Sequence, residues 1–412
     1  MATLFFIVFL DLVGFGMIIP VLPFFAEHLG ISASLVIFLF GLYSFGQLFG
    51  APLWGALSDR VGRRPVLLAT LAANVLANIL LAFAGNTWQL ALSRLVSGLA
   101  AGNISIAYAY VADVTTDAER PKALGMLGAA FGLGFILGPA LGGALGGGDP
   151  GSANFSRVAF AAAFMSALAF AATLVRLRES HGEEHRTGAD EHQKGMRWRL
   201  LARHDLRRLL TVTLIVVGAV SMLQGTFSLW AADDLGVSPR NLGFVFAFIG
   251  VIAVTVQGVF IGKLSARFGP EQLARTGIVL LVVALVFIPF VPNVWLALLP
   301  MGFYGVGSAL FSPSISNLIT RTAGARERGA VLGLFQGTSS LARVIGPMAS
   351  SGITALAGLR VPFWVAALVT SVGAVMIHRQ GAGTSTPATD VPEGPAGGVS
   401  GTGAGAVADR AG

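Results

Sequence analysis

Three ionisable residues stand inside otherwise apolar stretches of this 412-residue chain: Asp11, Arg94 and Arg343. A carboxylate at mid-helix in a bilayer costs about 2.5–3.5 kcal/mol on insertion scales. Asp11 lies about eight residues into its apolar run, roughly 12 Å deep at about 1.5 Å per residue. Protonation removes the charge and its cost. A carboxyl so placed is therefore able to load a proton in one state and release it in another. A hydrogen-bonding post for helix packing is the other reading, and the residues leave both open. Arg94 opens a face of small or polar residues at helical spacing, Arg94, Gly98, Ala101, Ser105 and Tyr108, which should turn inward. It reads as nearer the external side than Asp11, so a direct pair between the two stays open. Arg343 precedes Gly346-Pro347 in a later run. No cysteine exists to make disulfides or thiolate metal sites, and the six histidines show no ligand spacing. No nucleophile–base pair or metal cluster occurs in the runs. The chemistry on offer is proton loading and binding. Neither an enzyme nor a metal or organic cofactor is expected, and the proton is the expected coupling ion.

The elements that must carry these charges are membrane helices. The chain is 54% hydrophobic and 11% charged, where a soluble domain carries about 25% charged residues. Stretches such as Ala69–Phe83 and Val279–Phe290 hold no charge at all. Runs of about 20 apolar residues match a hydrocarbon core of about 30 Å. The 54 glycines fit helices that approach closely where no hydrophobic effect drives them together. The reading is an all-α membrane protein with twelve transmembrane helices, over 3–26, 34–57, 65–85, 87–113, 121–147, 154–176, 206–232, 241–262, 272–291, 294–321, 327–356 and 360–378. The first run starts at Thr3 and is long enough to span, so no cleavable signal is expected.

Orientation follows from Lys and Arg. With both termini in the cytoplasm, 22 basic residues fall in cytoplasmic segments and three, Arg157, Arg240 and Arg360, in external loops. The net charge of +7 is thus membrane orientation, with no nucleic-acid partner implied. The expected setting is the plasma membrane, with lipid around a monomer. Residues 177–205 read as a polar cytoplasmic loop, and residues 381–412 as a disordered tail too poor in large apolar groups to fold.

An internal repeat divides the chain. At a shift of about 207 residues, Glu27–Ser32 falls on Asp233–Ser238 and Gly55–Gly62 on Gly262–Gly269. Glu119-Arg120 falls on Glu327-Arg328, and Gly138-Pro139 on Gly346-Pro347. Two pseudo-symmetric six-helix bundles follow, 1–176 and 206–380, related by an axis along the membrane normal. Such halves are able to rock about a central site, which is the ground for expecting a transporter.

At this point the residues resemble a known family. The segment Gly55-Ala56-Leu57-Ser58-Asp59-Arg60-Val61-Gly62-Arg63-Arg64 resembles the loop 2–3 motif of the major facilitator superfamily. Gly132–Gly143, with Gly134, Gly138, Pro139, Gly142 and Gly143, resembles the fifth-helix motif of its antiporters. Leu10–Pro23 is similar to helix one of the twelve-helix drug:proton antiporters, and Arg94–Gly98 resembles their fourth-helix arginine motif. The resemblance covers residues 1–380 and is nearest to tetracycline-efflux-like members. It implies the major facilitator fold. It also implies a gate in which Asp59 clamps the first half against the second in the outward-facing state. Asp113 is a candidate partner for Arg63; plain positive-inside anchoring is the other reading of this loop. Ala266 replaces the acid in the second copy, so the clamp is one-sided. Gly138-Pro139 and Gly346-Pro347 read as bends, because proline removes a backbone donor; the glycines flanking Gly138-Pro139 read as a flat packing face for a neighbouring helix, and Arg343 beside the second pair reads as conformational. Gln47, Asn74, Asn78, Asn103, Gln224, Gln257, Asn317 and Gln336 are cavity candidates, each alternatively a packing contact between helices.

The chain departs from tetracycline pumps where those carry further embedded ionisable groups. Their third-helix acid falls on Ala77, their eighth-helix histidine on Ala253 near Gln257, and their ninth-helix acid on Leu281. The expected function is export of a small amphipathic or hydrophobic compound against protons. A proton-independent uniporter, a metabolite symporter and a non-transporting sensor are the rivals.

Overall fold

The computed structural model describes residues 1–116, 119–148, 154–180, 199–324 and 327–381. All the regular structure among them is helical. The first pass is α1 (Ala2–Ile18) and α2 (Leu22–His28); the next two are α3 (Ala33–Val61) and α4 (Arg63–Ala82). The fourth is α5 (Thr87–Ala100) with α6 (Asn103–Val114), followed by α7 (Arg120–Gly146) and α8 (Phe155–Arg176). The second half comprises α9 (His204–Leu235), α10 (Pro239–Thr255), α11 (Ile261–Phe287), α12 (Val294–Arg321), α13 (Arg328–Ala357) and α14 (Val361–Gly381). A π-helical turn, Val256–Phe260, joins α10 to α11.

Among the described residues, eight helical stretches are long and apolar enough to cross a membrane, and Ala2–Ile18 and Val361–Ile377 are shorter apolar helices. Pro239–Phe290 makes two passes, because the backbone leaves helical geometry at Gly269. With the 30-residue amphipathic helix α13, the passes number twelve.

Several boundaries differ from those read in the sequence. The first pass is interrupted at residues 19–21, around Pro20 and just before Pro23, where missing proline donors interrupt the hydrogen-bond ladder. The fourth is interrupted at Ala101–Gly102. There the Trp54 indole Nε1 donates to Leu99 O at 2.6 Å, taking a carbonyl that an unbroken helix would use itself. Helix α9 starts at His204, and α14 runs to Gly381. Most of the expected central loop (181–198) and nearly all of the expected tail (382–412) lie outside the described residues.

The repeat is visible in the packing. α1 packs on α7 and α8 as α9 packs on α13 and α14, α3 on α5 as α10 on α12, and α4 on α8 as α11 on α14. Asn86 caps α5 by accepting from Gln89 N at 2.9 Å, and Asn293 caps α12 by accepting from Leu296 N at 3.0 Å. Side-chain caps of this kind satisfy otherwise orphaned N–H groups. Gly62 (φ 114°) and Gly269 (φ 74°) make the same tight turn in each half, a conformation that only glycine adopts freely.

The halves meet along two seams, α7 on α10 and α3 on α13. Towards the end remote from the termini these seams are tight. A Cβ on Gly143 would lie 3.0 Å from Gly243 Cα, and one on Gly225 would lie 2.9 Å from the Phe40 ring. Ser351 Oγ donates to Ser34 O at 2.7 Å, and Arg240 N to Gly147 O at 3.3 Å. Towards the terminal end the same helices part. Nothing lies within 4 Å of a Cβ built on Gly125, Gly128, Gly258, Gly262, Gly329 or Gly333. The bundle is closed at the far end and open at the end that carries the termini.

Candidate functional site

The embedded charges converge on a residue that the sequence reading did not single out. Tyr43, on α3, has its phenol within electrostatic reach of Asp11, Arg94 and Arg343. Its ring lies against Phe15 at 4.9 Å between centroids, and Phe15 meets Phe135 edge-on at 6.4 Å. Close packing sets this arrangement. Gly98 of α5 presses on the Tyr43 backbone carbonyl, which packs α5 closely against α3 one turn from Arg94. Tyr43 precedes Gln47 by one helical turn, the only sequence hint of its placement.

Asp11 is partly accessible, and its Oδ1 accepts from Asn74 Nδ2 at 3.2 Å. Asn103 stands beside the same carboxyl, its Nδ2 without a partner of good hydrogen-bond geometry. Arg94 is 4% exposed, and its Nε and Nη2 have no hydrogen-bond partner. No ion pair joins it to Asp11 among the described residues. Arg343 Nη2 donates to Ser340 Oγ at 3.3 Å.

The second cluster sits at the open end. Arg63 is buried and holds Asp59 at 2.5 Å and Asp113 at 2.9 Å, while its Nη1 donates to Ser58 Oγ at 2.7 Å. Ser58 Oγ in turn donates to Gly55 O at 2.7 Å. Arg64 Nη2 donates to Leu174 O at 2.8 Å, and Arg60 is exposed. These pairs lie within the first half. The Asp59 side chain is 61% exposed, so in this closed-far-end form the clamp against the second half is not made by the pairs described. Glu179 joins the cluster from the start of the central loop. Its Oε1 accepts from Arg63 N at 2.8 Å and its Oε2 from Arg64 N at 3.1 Å. Ser180 Oγ donates to Asp113 Oδ2 at 3.3 Å, and Tyr110 OH to Arg178 O at 3.0 Å. Nothing in the periodicity of the chain marks Glu179, because it is a loop residue brought back by the end of α8.

The Gly-Pro motifs lie at the seams. α7 runs through Pro139 and α13 through Pro347 without interruption. What the residues do there is allow contact. Gly138 meets Gly16 of α1, Gly134 meets Leu12, Gly142 meets Met17 and Gly143 meets Gly243. Gly346 presses on Gly218 and Ser221 of α9, while Pro347 and Met348 face Gly41. Each motif therefore touches the first helix of its own half and, directly or through an adjoining residue, the second helix of the other.

The polar cavity candidates divide. Asn103 joins the central cluster. Asn78 donates to Ser166 Oγ at 3.5 Å, between α4 and α8, and acts in packing. Asn317 accepts from Arg321 Nε at 3.0 Å, near the end of α12. Gln47 is partly exposed, and Gln224, Gln257 and Gln336 are exposed. Gln257 lies in the π-helical turn, a distortion frequent at functional sites.

Comparison with known proteins bears on this arrangement. The sequence profile of the Major Facilitator Superfamily matches residues 4–270 and 209–400. The class G tetracycline resistance protein of Vibrio anguillarum is 32% identical over 369 residues, covering 87% of this chain and 90% of the relative. The class B tetracycline resistance protein of Escherichia coli is 28% identical over 356 residues, 83% and 85% of the two chains. Multidrug resistance protein 2 of Bacillus subtilis is 28% identical over 381 residues, 89% and 91%. Among solved structures, the nucleoside transporter NupG superposes with a TM-score of 0.76 at 14% identity, over 92% of this chain and 98% of its own. That likeness shows the shared fold.

Proposed function

The chain belongs to the major facilitator superfamily, and from that premise we propose that it exports a small amphipathic or hydrophobic compound in exchange for protons. It is a multi-pass membrane transporter and not an enzyme. The carrying observation is Asp11. Among the described residues it is the one carboxylate placed away from both ends of the passes, held by Asn74 at 3.2 Å. A lone embedded acid beside polar donors gives a carrier one site to fill and empty.

The termini are cytoplasmic in this reading, by the excess of Lys and Arg at that end, so the structure is inward-facing. Export then runs by rocking residues 1–176 against 206–380. Substrate enters from the open cytoplasmic end and meets the cluster around Tyr43. The tight seams at the far end part, and the cytoplasmic ends close. The exposed Asp59 carboxylate, held by Arg63 at 2.5 Å, is then in place to meet the second half. A proton from outside reloads Asp11 and resets the cycle. One charge moved across about 100 mV supplies about 2.3 kcal/mol, enough for gradients of tens-fold. The similarity to proteins named for tetracycline and multidrug resistance supports efflux.

The test is transport of a panel of amphipathic compounds in proteoliposomes under an imposed pH gradient. Asp11→Asn should abolish gradient-driven transport. Equal gradient-driven transport by the variant, or wild-type transport indifferent to the gradient, would remove the proton from the mechanism.

A further inference from the structure

In the second half, α10 and α12 touch and then leave space between them. Where they touch, a Cβ on Gly305 would lie 3.1 Å from Ile252 Cγ2. One turn nearer the far end, Gly302 adds no side chain, and a Cβ there would stay 3.8 Å from the Phe248 ring. Beyond it lies a cavity of about 400 Å³, between Phe244 and Phe248 of α10 and Val294, Trp295 and Leu298 of α12. The two halves are sealed against each other at this end, so exposed side chains here face out of the bundle. Phe244 is 53% and Trp295 70% exposed. The cavity therefore opens sideways, towards lipid.

The rim of this cavity carries a cation. Arg240, in the first turn of α10, holds its guanidinium carbon 6.0 Å from the centre of the Phe244 ring, within cation–π range. It is exposed and forms no ion pair among the described residues, whereas Arg360 at the same end is paired with Asp234 at 2.7 Å. Asn241 lines the cavity beside it and is its one polar side chain among the described residues. Trp295 is of the type enriched where a chain crosses the headgroup zone. Arg240 and Phe248 stand eight residues apart on one helix, roughly 12 Å at about 1.5 Å per residue. One leaflet's share of a hydrocarbon core of about 30 Å is about 15 Å. Charge at the rim and an apolar slot running inward thus match a headgroup and its acyl chain. A site for a polar small molecule places several polar groups within the cavity, and this one does not. A zwitterionic headgroup brings its own cation and offsets little of the charge on Arg240. An anionic headgroup leaves its phosphate to the arginine fork.

We propose that the crevice between α10 and α12 binds an anionic phospholipid of the outer leaflet, with its headgroup on Arg240 and Asn241 and one acyl chain in the cavity. The site adjoins the moving parts. Arg240 N donates to Gly147 O across the seam at 3.3 Å, so the headgroup lies beside a contact that has to part when the halves rock. The site is independent of the exported compound and of proton coupling; only the choice of leaflet follows from placing the termini in the cytoplasm.

The test is quenching of tryptophan fluorescence by lipids brominated on the acyl chain, with the full-length protein in phosphatidylcholine vesicles. The Trp295 signal is the difference between the protein and its Trp295→Phe variant. Brominated phosphatidylglycerol and brominated phosphatidylcholine are compared at equal, low mole fraction. The anionic lipid should occupy the site about fivefold more readily, the scale of one arginine at a charged headgroup. Arg240→Gln should bring that preference below about twofold. Equal quenching by the two lipids in the unaltered protein makes this ordinary boundary lipid and overturns the proposal, whether or not the Arg240 variant folds. A preference that survives Arg240→Gln in folded protein overturns it as well, because the headgroup is then held elsewhere. Absence of Trp295 quenching by either lipid means that a second copy of the chain covers this face, and that also overturns it.

Discussion

The two halves make the same turn between their second and third helices and stabilise it differently. In the first half, Gly62 leads into α4, whose initial N–H groups on Arg63 and Arg64 are accepted by Glu179 at 2.8 and 3.1 Å. In the second, Gly269 leads into Pro270, whose ring nitrogen has no N–H to satisfy. The first half also places Asp59 and Asp113 around Arg63. The second has Ala266 where the acid would be, and Arg267 lies over the ring of Phe268 at 5.3 Å. One copy of the turn is a charged cluster tied to the central loop. The other is a self-contained corner. A rocking bundle needs matched halves for symmetry of motion, but only one of them has to carry the trigger.

The largest test of that asymmetry is at the centre. Asp11→Asn should reduce gradient-driven transport by about 100-fold or more, the scale associated with loss of a positioned proton-transfer group. Asp234→Asn in the second half removes a carboxylate paired with Arg360 at 2.7 Å. It should leave coupling within about twofold, as measured by proton flux during exchange. Similar losses from both would end the claim that coupling resides in the first half. At the turns, Arg63→Gln leaves two carboxylates around an unfilled site and should cost about 3 kcal/mol, towards the lower end for a broken buried pair because Asp59 is exposed. Arg267→Gln should cost less than about 0.5 kcal/mol. Thermal unfolding in detergent compares them.

Smaller effects sharpen the comparison further. Glu179→Ala should destabilise by about 0.5–2 kcal/mol, as for other lost helix caps, and should expose residues near 177–180 to limited proteolysis. Unchanged cleavage there would show that the loop is held by other contacts. Smallest is the exposed pair Arg203–Glu327, at 2.7 Å. The Arg203 guanidinium holds the Glu327 carboxyl below its ordinary range. The contribution of this pair is fully present above the usual glutamate pKa and is lost as pH falls through the lowered one. Glu327→Gln should flatten a shallow acid-limb change in stability and alter little at neutral pH.

Much of this molecule was legible as sequence because a bilayer imposes a one-dimensional rule. Apolar runs long enough to span, the repeat at about 207 residues and the turn motifs are local properties, and they set the twelve passes and the two halves. Asp11, Arg94 and Arg343 stood out for the same reason, since a charge in an apolar run is conspicuous wherever it points. Which side chains meet is another matter. Tyr43 lies within electrostatic range of Asp11, Arg94 and Arg343, on helices whose rotation is set by contacts such as that of Gly98 on the Tyr43 carbonyl. Asn78, as polar as Asn103 and on the same candidate footing, ends beside Ser166 instead. Glu179 sits in a loop where no period operates. The seams sealed at Gly143–Gly243 and Ser34–Ser351 but parted at Gly125 and Gly329 depend on how two rigid bundles lean together. Apolar length and repetition are written along the chain; helix rotation and lean arise only when small residues on distant segments are pressed into contact.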